Sequence, residues 1–238
     1  AGEFEFELID EDGNVIDTVT NDADGKFSFA TLTYSEEDIQ QGNEQTYTYT
    51  VKEVKGELAG VTYVENPITV QVTVTDNGDG TLTVTADKEA DEIAFTNTYA
   101  ADGEIVLSGT KTLTGRALKA GEFEFELIDE DGNVIETVEN GADGSIVFSA
   151  IEYTAAGEYS YTIREVKGEL KGVTYDENEI NVTVTVTDDG KGNLTATADK
   201  TADEITFTNT YAADGEIVLS GMKTLVGREL KADEFEFE

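Results

Sequence analysis

The sequence of 238 residues predicts an all-β protein made of tandem β-sandwich domains. Apolar and polar residues alternate strictly through Glu122–Leu127 and Ile180–Thr187, and this period of two is typical of half-buried strands. Turn dipeptides such as Asp131-Gly132 separate these runs, and no amphipathic helix of useful length is present. The sequence also repeats itself with a period of roughly 112 residues, which suits one sandwich domain.

Long matching segments define the repeat. Phe4–Ile16 recurs as Phe123–Ile135, and Phe95–Gly109 recurs as Phe207–Gly221. The first copy differs by a longer loop around Ser35–Gln45. Since the sequence starts after one opening strand and stops soon after another, we interpret it as an excerpt from a longer array of repeats.

The repeat divides the chain into three expected parts. Residues 1–101 form a first domain that lacks its opening, lysine-bearing strand. Residues 102–212 form a complete domain, and residues 213–238 are the opening strands of a third. The complete domain is therefore where any chemistry of the repeat is expected to be intact.

The composition excludes several classes of function. With 52 acidic and 15 basic residues the net charge is −37, which repels nucleic acid and anionic membranes. The chain has no cysteine, hence no disulfide, and no histidine, the usual general base and transition-metal ligand. No apolar run approaches the length of a membrane helix, and no signal peptide is present.

Three polar residues of the complete domain share the parity of the core-facing side chains. Lys111 alternates with Leu107 and Leu113 on the opening strand. Glu165 and Asn209 occupy the same apolar parity on two later strands. A single inward polar residue can be an accident, but three that recur at equivalent places within one chain need a physical cause.

The two incomplete domains repeat parts of this pattern. Glu53 and Asn97 correspond to the glutamate and asparagine in the first domain, and Lys223 corresponds to the lysine in the third. Glu53 and Asn97 lack a lysine of their own, whereas Lys223 lacks a glutamate and an asparagine.

Burial predicts what a lysine, a glutamate and an asparagine can do together. Desolvation lowers the pKa of a lysine and raises that of a glutamate, so the pair can exist as a neutral amine and a neutral acid. The amine is then a nucleophile, and the protonated glutamate can polarise the asparagine carbonyl and carry a proton to the departing ammonia. The product is an uncharged Lys–Asn isopeptide bond. The alternative is an unreacted buried polar network, or a lysine at a strand end that snorkels outward.

These motifs resemble a known family. Lys111-Thr-Leu113, Tyr161-Thr-Ile-Arg-Glu165 and Phe207-Thr-Asn-Thr-Tyr211 resemble the isopeptide-linkage domains of Gram-positive pilins, which are related to collagen-adhesin B-type (Cna-B-type) repeats. The resemblance implies an immunoglobulin-like sandwich with an autocatalytic cross-link at the cell surface. It assigns Lys111 as the amine, Asn209 as the acceptor and Glu165 as the catalyst.

The expected function is structural. We expect a secreted repeat of a surface stalk or pilus-like fibre in a Gram-positive cell wall, stiffened by intramolecular isopeptide bonds, with neighbouring repeats as partners. Such chemistry turns over once, so we do not expect an enzyme, and we expect no cofactor. The alternative is an adhesin module that binds a host or matrix ligand, for which the Ser35–Gln45 loop is the one candidate place. A further hypothesis is strand donation between copies, which would join Lys223 of one chain to Asn97 of another. A single continuous array is the alternative that we favour.

The acidic residues suggest two other kinds of site. Asp10–Asn14 and Asp129–Asn133 begin like a calcium-binding EF-hand loop, but strands flank them and Asn21 or Asn140 stands where the closing glutamate belongs. A hairpin turn explains them better, so we expect no metal. Acidic pairs are too numerous for counting to exclude a glycosidase-type carboxylate dyad, but the chain has no tryptophan or histidine to line a sugar site.

Overall fold

The structure is a computed structural model that describes residues 1–39 and 42–238. We call residues 1–101 the first repeat, residues 102–212 the second repeat and residues 213–238 the C-terminal segment. The described residues form eighteen strands, β1–β18, and their only helical elements are three short 3-10 turns. None of these elements is a helix long and apolar enough to cross a membrane.

The strands follow the repeat. The first repeat contains β1 (Glu5–Ile9), β2 (Val15–Thr20), β3 (Glu44–Val54), β4 (Val61–Thr62), β5 (Ile68–Asp76), β6 (Leu82–Ala86) and β7 (Thr98–Tyr99). The second repeat contains β8 (Gly103–Ile105), β9 (Ser108–Thr114), β10 (Glu124–Ile128), β11 (Val134–Glu139), β12 (Ser145–Val147), β13 (Ile151–Tyr153), β14 (Gly157–Glu165), β15 (Val173–Thr174), β16 (Glu179–Asp188), β17 (Leu194–Ala198) and β18 (Thr206–Tyr211). The 3-10 turns are Glu36–Asp38, Ala90–Glu92 and Ala202–Glu204.

The second repeat is a complete sandwich. One sheet has the order β11-β10-β14-β16-β17, and the facing sheet has the order β12-β9-β18-β15. The alternating side chains of the two sheets meet in a core whose fully buried members include Phe125, Ile146, Ile163, Val184 and Phe207. The prediction of an all-β, immunoglobulin-like fold is confirmed.

The strands β9 and β18, from the two ends of the second repeat, lie side by side. β9 and β18 pair in parallel, with Phe207 opposite Lys111 and Asn209 opposite Leu113. The approach is so close that a Cβ on Gly109 would lie 2.6 Å from the carbonyl oxygen of Ile205. Glycine is therefore required where the opening strand passes the turn before β18.

The first repeat has only one of the two large sheets. Its order, β2-β1-β3-β5-β6, repeats that of the second repeat, but β4 pairs only with β7. Residues 93–99, which correspond in sequence to 205–211, form a strand only over Thr98–Tyr99. The physical reason is the missing partner: β18 is hydrogen-bonded to β9, and the first repeat has no counterpart of β9 among its described residues.

The C-terminal segment forms no strand in the structure, although its sequence matches the opening of the second repeat. Its apolar side chains are largely exposed: Ile217 by 80%, Leu219 by 86% and Met222 by 93%. A strand needs a neighbour to satisfy its backbone hydrogen bonds, and no sheet lies beside this segment.

Candidate functional site

The structure brings Lys111, Glu165 and Asn209 together inside the second repeat. The Nζ atom of Lys111 lies 2.7 Å from Oε2 of Glu165, and Nδ2 of Asn209 donates to Oε1 of Glu165 at 2.6 Å. The side chains of Lys111 and Glu165 are fully buried, and Asn209 is 0% exposed. Glu165 thus stands between the amine and the amide.

Three strands and two phenylalanine rings position this cluster. Lys111 is on β9, Glu165 on β14 and Asn209 on β18, so the cluster spans both sheets. Beneath the amine, the ring centroids of Phe123 and Phe125 lie 4.6 Å and 5.7 Å from Nζ of Lys111. The side chain of Lys111 has no exposed surface, and Glu165 is the polar partner of its amine.

Burial shifts both pKa values toward the neutral pair. Desolvation lowers the pKa of Lys111, and the hydrogen bond and charge of Glu165 only partly oppose it. Desolvation likewise raises the pKa of Glu165, against the hydrogen bonds from Lys111 and Asn209. Moving one proton from Nζ to the carboxylate therefore relieves two buried charges at once and leaves a nucleophilic amine.

The orientation of the Asn209 amide differs from the sequence-based expectation. Glu165 was expected to polarise the carbonyl oxygen, but it contacts the amide nitrogen instead. The carbonyl oxygen Oδ1 accepts the backbone N–H of Asp176 at 2.7 Å. A backbone donor therefore polarises the carbonyl, while Glu165 lies beside the nitrogen that would leave.

Asp176 is the residue that the sequence reasoning missed. Besides its N–H on Asn209, its carboxylate accepts the backbone N–H of Thr208 at 2.7 Å, which fixes the loop against β18. Its charge also adds to the raised pKa of Glu165. The one available signal was a difference between copies, since the matching position of the first repeat is Val64.

The first repeat has the same site without its amine. Nδ2 of Asn97 donates to Oε1 of Glu53 at 2.6 Å, and Oδ1 of Asn97 accepts the backbone N–H of Val64 at 2.9 Å. Glu53 is buried, and its Oε2 atom has no hydrogen-bond partner. In the second repeat the equivalent oxygen accepts the Lys111 amine.

Lys223 is not brought to either site. It lies in the C-terminal segment, with Nζ 4.7 Å from the ring centroid of Phe235. This contact repeats the one between Lys111 and Phe123.

The aspartate carboxylates at the start of the acidic turns accept hydrogen bonds from the backbone of the same turn. Oδ1 of Asp10 accepts the N–H groups of Asp12 and Asn14, and Asp129 does the same for Asp131 and Asn133. Hydrogen bonds from Asn14 and Asn133 lower the pKa of the two carboxyls. Within 1–39 and 42–238 no group of three or more potential metal-ligating residues is found.

The long loop of the first repeat offers little to a ligand hypothesis. Ser35 precedes the 3-10 turn Glu36–Asp38, and its N–H and hydroxyl both donate to the carboxylate of Asp38. Residues 40 and 41 of the predicted Ser35–Gln45 site lie outside the described residues.

Comparison with solved structures found bacterial pilus proteins. A major pilin (T3.2) of Streptococcus pyogenes is 16% identical, with 87% of this chain and 88% of that chain covered and a TM-score of 0.25. Another major pilin structure from the same species is 19% identical, with 87% and 89% covered and a TM-score of 0.29. The C-terminal fragment of the pilus adhesin SpaC from Lactobacillus rhamnosus GG is 15% identical over 91% of both chains, with a TM-score of 0.27.

Sequence comparison gave two further results. No curated protein matches the chain. The family model described as "Spy0128-like isopeptide containing domain" matches residues 1–100 and again residues 107–212, which covers both repeats. The chain therefore belongs to the family of Spy0128-like isopeptide-containing domains, as the resemblance to Gram-positive pilin domains predicted.

Proposed function

We propose that this chain is a structural part of a pilus or surface fibre, stiffened by an autocatalytic isopeptide bond between Lys111 and Asn209 in the second repeat. The observation that carries the proposal is the fully buried contact of Glu165 with both the amine and the amide nitrogen. Family membership supports it, because the family is defined by isopeptide-containing domains.

The geometry supports a simple sequence of steps. Glu165 takes a proton from Lys111, and the neutral Nζ attacks Cγ of Asn209 while the N–H of Asp176 stabilises the oxygen. The bond between Cγ and Nδ2 then breaks as Glu165 gives its proton to the leaving nitrogen, and the carboxylate takes the second proton from Nζ, which leaves a neutral amide. One C–N bond replaces another and one ammonia is released, so no cofactor or oxidant is needed.

The bond would act where a fibre carries tension. β9 lies near the start of the second repeat and β18 at its end, so tension along an array passes through these two neighbouring strands. A covalent link between them shields the residues between Lys111 and Asn209 from the load. It would do in a cysteine-free chain what disulfides do in other extracellular proteins.

Intact mass tests the proposal on the full chain. We expect the monomeric parent to be lighter than its sequence by one ammonia, and the monomeric Glu165→Ala variant to have the full mass. Glu53→Ala is the matched control: it alters the equivalent residue of a site without an amine, so its deficit of one ammonia should remain. Full mass in the parent would overturn the cross-link while leaving the fold intact.

The first repeat is the place for a second, intermolecular bond. Its open apolar groove, of about 700 Å³, is lined by residues including Phe6, Phe27, Tyr49 and Phe95. In the second repeat, β9 occupies the corresponding position between β12 and β18. We infer that the C-terminal segment of another copy, which repeats the sequence of β9 and exposes its apolar side chains, donates a strand to this groove.

The unpartnered oxygen of Glu53 marks where the donated amine would lie. Oε2 of Glu53 is buried and lacks a donor, and Lys223 is the equivalent of the lysine that fills this role in the second repeat. Docking would bring Lys223 to Glu53 and Asn97, and the bond would join two chains. In a continuous array the preceding opening strand would take the same place.

Denaturing gels distinguish strand donation between copies from a groove that stays unoccupied. We expect the purified chain to give an SDS-resistant ladder that grows with concentration, and Lys223→Arg and Asn97→Ala each to abolish it. Lys111→Arg is the control and should retain the ladder. A strict monomer at all concentrations would exclude donation between copies without touching the bond inside the second repeat.

The remaining parts of the proposal concern organisation and place. The boundaries 1–101, 102–212 and 213–238 are supported by the separate sheets and apolar clusters of the two repeats. We propose a location on the surface of a Gram-positive cell, which membership of the family of Spy0128-like isopeptide-containing domains supports. The cross-link consumes its own side chains, so the chain acts as a structural protein rather than an enzyme.

A further inference from the structure

The two repeats touch through a polar contact that involves neither isopeptide site. The hydroxyl of Tyr99, at the end of the first repeat, donates to Oδ1 of Asp188 at 2.7 Å. The same hydroxyl accepts the backbone N–H of Gly192 at 3.0 Å. Asp188 and Gly192 flank the turn that joins β16 to β17 in the second repeat, so one tyrosine holds both sides of that turn.

Two glycines pack against each other beside this tyrosine. Gly60 and Gly192 have φ values of +78° and +83°, in the left-handed region that favours glycine. A Cβ on Gly60 would lie 2.8 Å from Cα of Gly192, and a Cβ on Gly192 would lie 2.9 Å from Cα of Gly60. Because no side chain fits at either position, the surfaces meet only as glycine on glycine.

The connector between the repeats is part of the same contact. The N–H of Ala100 donates to the carbonyl of Gly60 at 2.9 Å, which ties the connector to the first repeat. The N–H of Leu194 donates to the carbonyl of Asp102 at 2.8 Å, which ties it to the second. Ala101, between them, is buried in the core of the second repeat. The connector is therefore anchored on both sides.

Each repeat carries both halves of this contact. The loop Asp188–Asn193 corresponds to 76–81 of the first repeat, where Gly80 has the same φ of +83° and an open face. At the other end, Tyr211 and Gly172 correspond to Tyr99 and Gly60, and Ala212 donates to Gly172 at 2.9 Å as Ala100 does to Gly60. The arrangement is a property of the repeat, not of this one junction.

We propose that the contact of Tyr99 with Asp188 and Gly192 is a joint that holds successive repeats in one fixed orientation, and that the partner of each such loop is the Tyr-Ala-Ala end of the preceding repeat. The joint is independent of the isopeptide bond, since it uses none of its residues. Its hydrogen bond also raises the pKa of Tyr99, because the neutral phenol is the donor to Asp188.

Residual dipolar couplings on the full chain test the joint, since they report whether two repeats share one alignment. We expect a single alignment tensor for both repeats in the parent, and two different tensors in Tyr99→Phe. Tyr211→Phe is the matched control, because its repeat-end tyrosine has no following loop in this chain, and it should keep the single tensor. Unchanged amide shifts in the β-sheets would show that the repeats remain folded.

Either of two results overturns the proposal: separate tensors in the parent, or a single tensor that survives Tyr99→Phe. A second readout is the tyrosine titration followed by ultraviolet absorbance. Asp188→Asn should lower the pKa of one tyrosine, and that tyrosine should be absent from Tyr99→Phe. An identical titration in the parent and in Asp188→Asn would contradict the hydrogen bond on which the joint depends.

Discussion

The two repeats are close copies of one sequence, yet only the second is a closed sandwich. The difference lies in the second sheet: β9 pairs with both β12 and β18 in the second repeat, and the described residues of the first repeat form no counterpart of β9 or β12. Phe207 is 0% exposed, whereas its counterpart Phe95 is only partly buried and lines an open groove. The opening strand β9 therefore joins β12 to β18 in the second sheet and supplies the amine of the site.

The strand β9 also determines whether both oxygens of the buried glutamate have a hydrogen-bond partner. Glu165 uses both oxygens, one for Lys111 and one for Asn209. Glu53 uses one, and its other oxygen is buried without a donor. Paired variants at equivalent positions can therefore measure what the strand and the bond contribute.

The largest expected difference is between Asn209→Ala and Asn97→Ala. Asn209→Ala removes the cross-link, and the loop-closure model gives about 4 to 5 kcal/mol for a bond that closes a loop of roughly 100 residues. Asn97→Ala removes only hydrogen bonds and should cost the first repeat about 1 kcal/mol. Differential scanning calorimetry, with one transition for each repeat, measures both. Equal losses would mean that the second repeat has no cross-link.

The next difference concerns the core. Phe207→Ala empties a fully buried site and should destabilise the second repeat by about 3 to 5 kcal/mol. Phe95→Ala removes a partly exposed ring and should cost about 1 kcal/mol. Calorimetric midpoints give the comparison. A loss at Phe95 as large as that at Phe207 would show that the groove of the first repeat is filled in solution.

The two glutamate substitutions are expected to change the free energy of unfolding in opposite directions. Glu53→Gln keeps an acceptor for Asn97 and removes a buried, half-satisfied carboxylate, so the first repeat should gain about 1 kcal/mol at pH 7. Glu165→Gln should destabilise the second repeat, since it takes the proton carrier from between Lys111 and Asn209. Urea unfolding of each variant measures the sign. Destabilisation by Glu53→Gln would show that its second oxygen has a partner.

The smallest effect is expected where the repeats are alike. Lys55 pairs with Glu65 in the first repeat, and Lys167 pairs with Glu177 at the equivalent place in the second. All four side chains are more than two thirds exposed, so solvent screens both pairs. Lys55→Gln and Lys167→Gln should leave both calorimetric midpoints unchanged. A shift in only one repeat would reveal a difference at the surface that the opening strand does not explain.

Much of this could be predicted from the sequence, because strand alternation records which face is buried. The parity argument placed Lys111, Glu165 and Asn209 inward, and the structure brings them together. Asp176 could not be found in that way, since its contribution is a backbone N–H from a loop. The orientation of the Asn209 amide also depends on that donor, which no periodicity reports.

Two other features depend on contacts that the local sequence does not record. Residues 93–99 form a strand only over Thr98–Tyr99 because the partner strand is absent from the described residues, although the matching residues form β18 in the second repeat. The contact of Tyr99 with Asp188 joins exposed loops of different repeats. Strand pairing and contacts between domains are set by distant segments, so both require the folded chain.

The glycine contact between Gly60 and Gly192 affects how the gene can gain or lose whole repeats. Since every repeat has the same glycine at each end, removing or duplicating one whole repeat still places glycine against glycine at the new junction. Unequal recombination can therefore lengthen or shorten the gene in units of one repeat, and no compensating mutation is needed at the new junction.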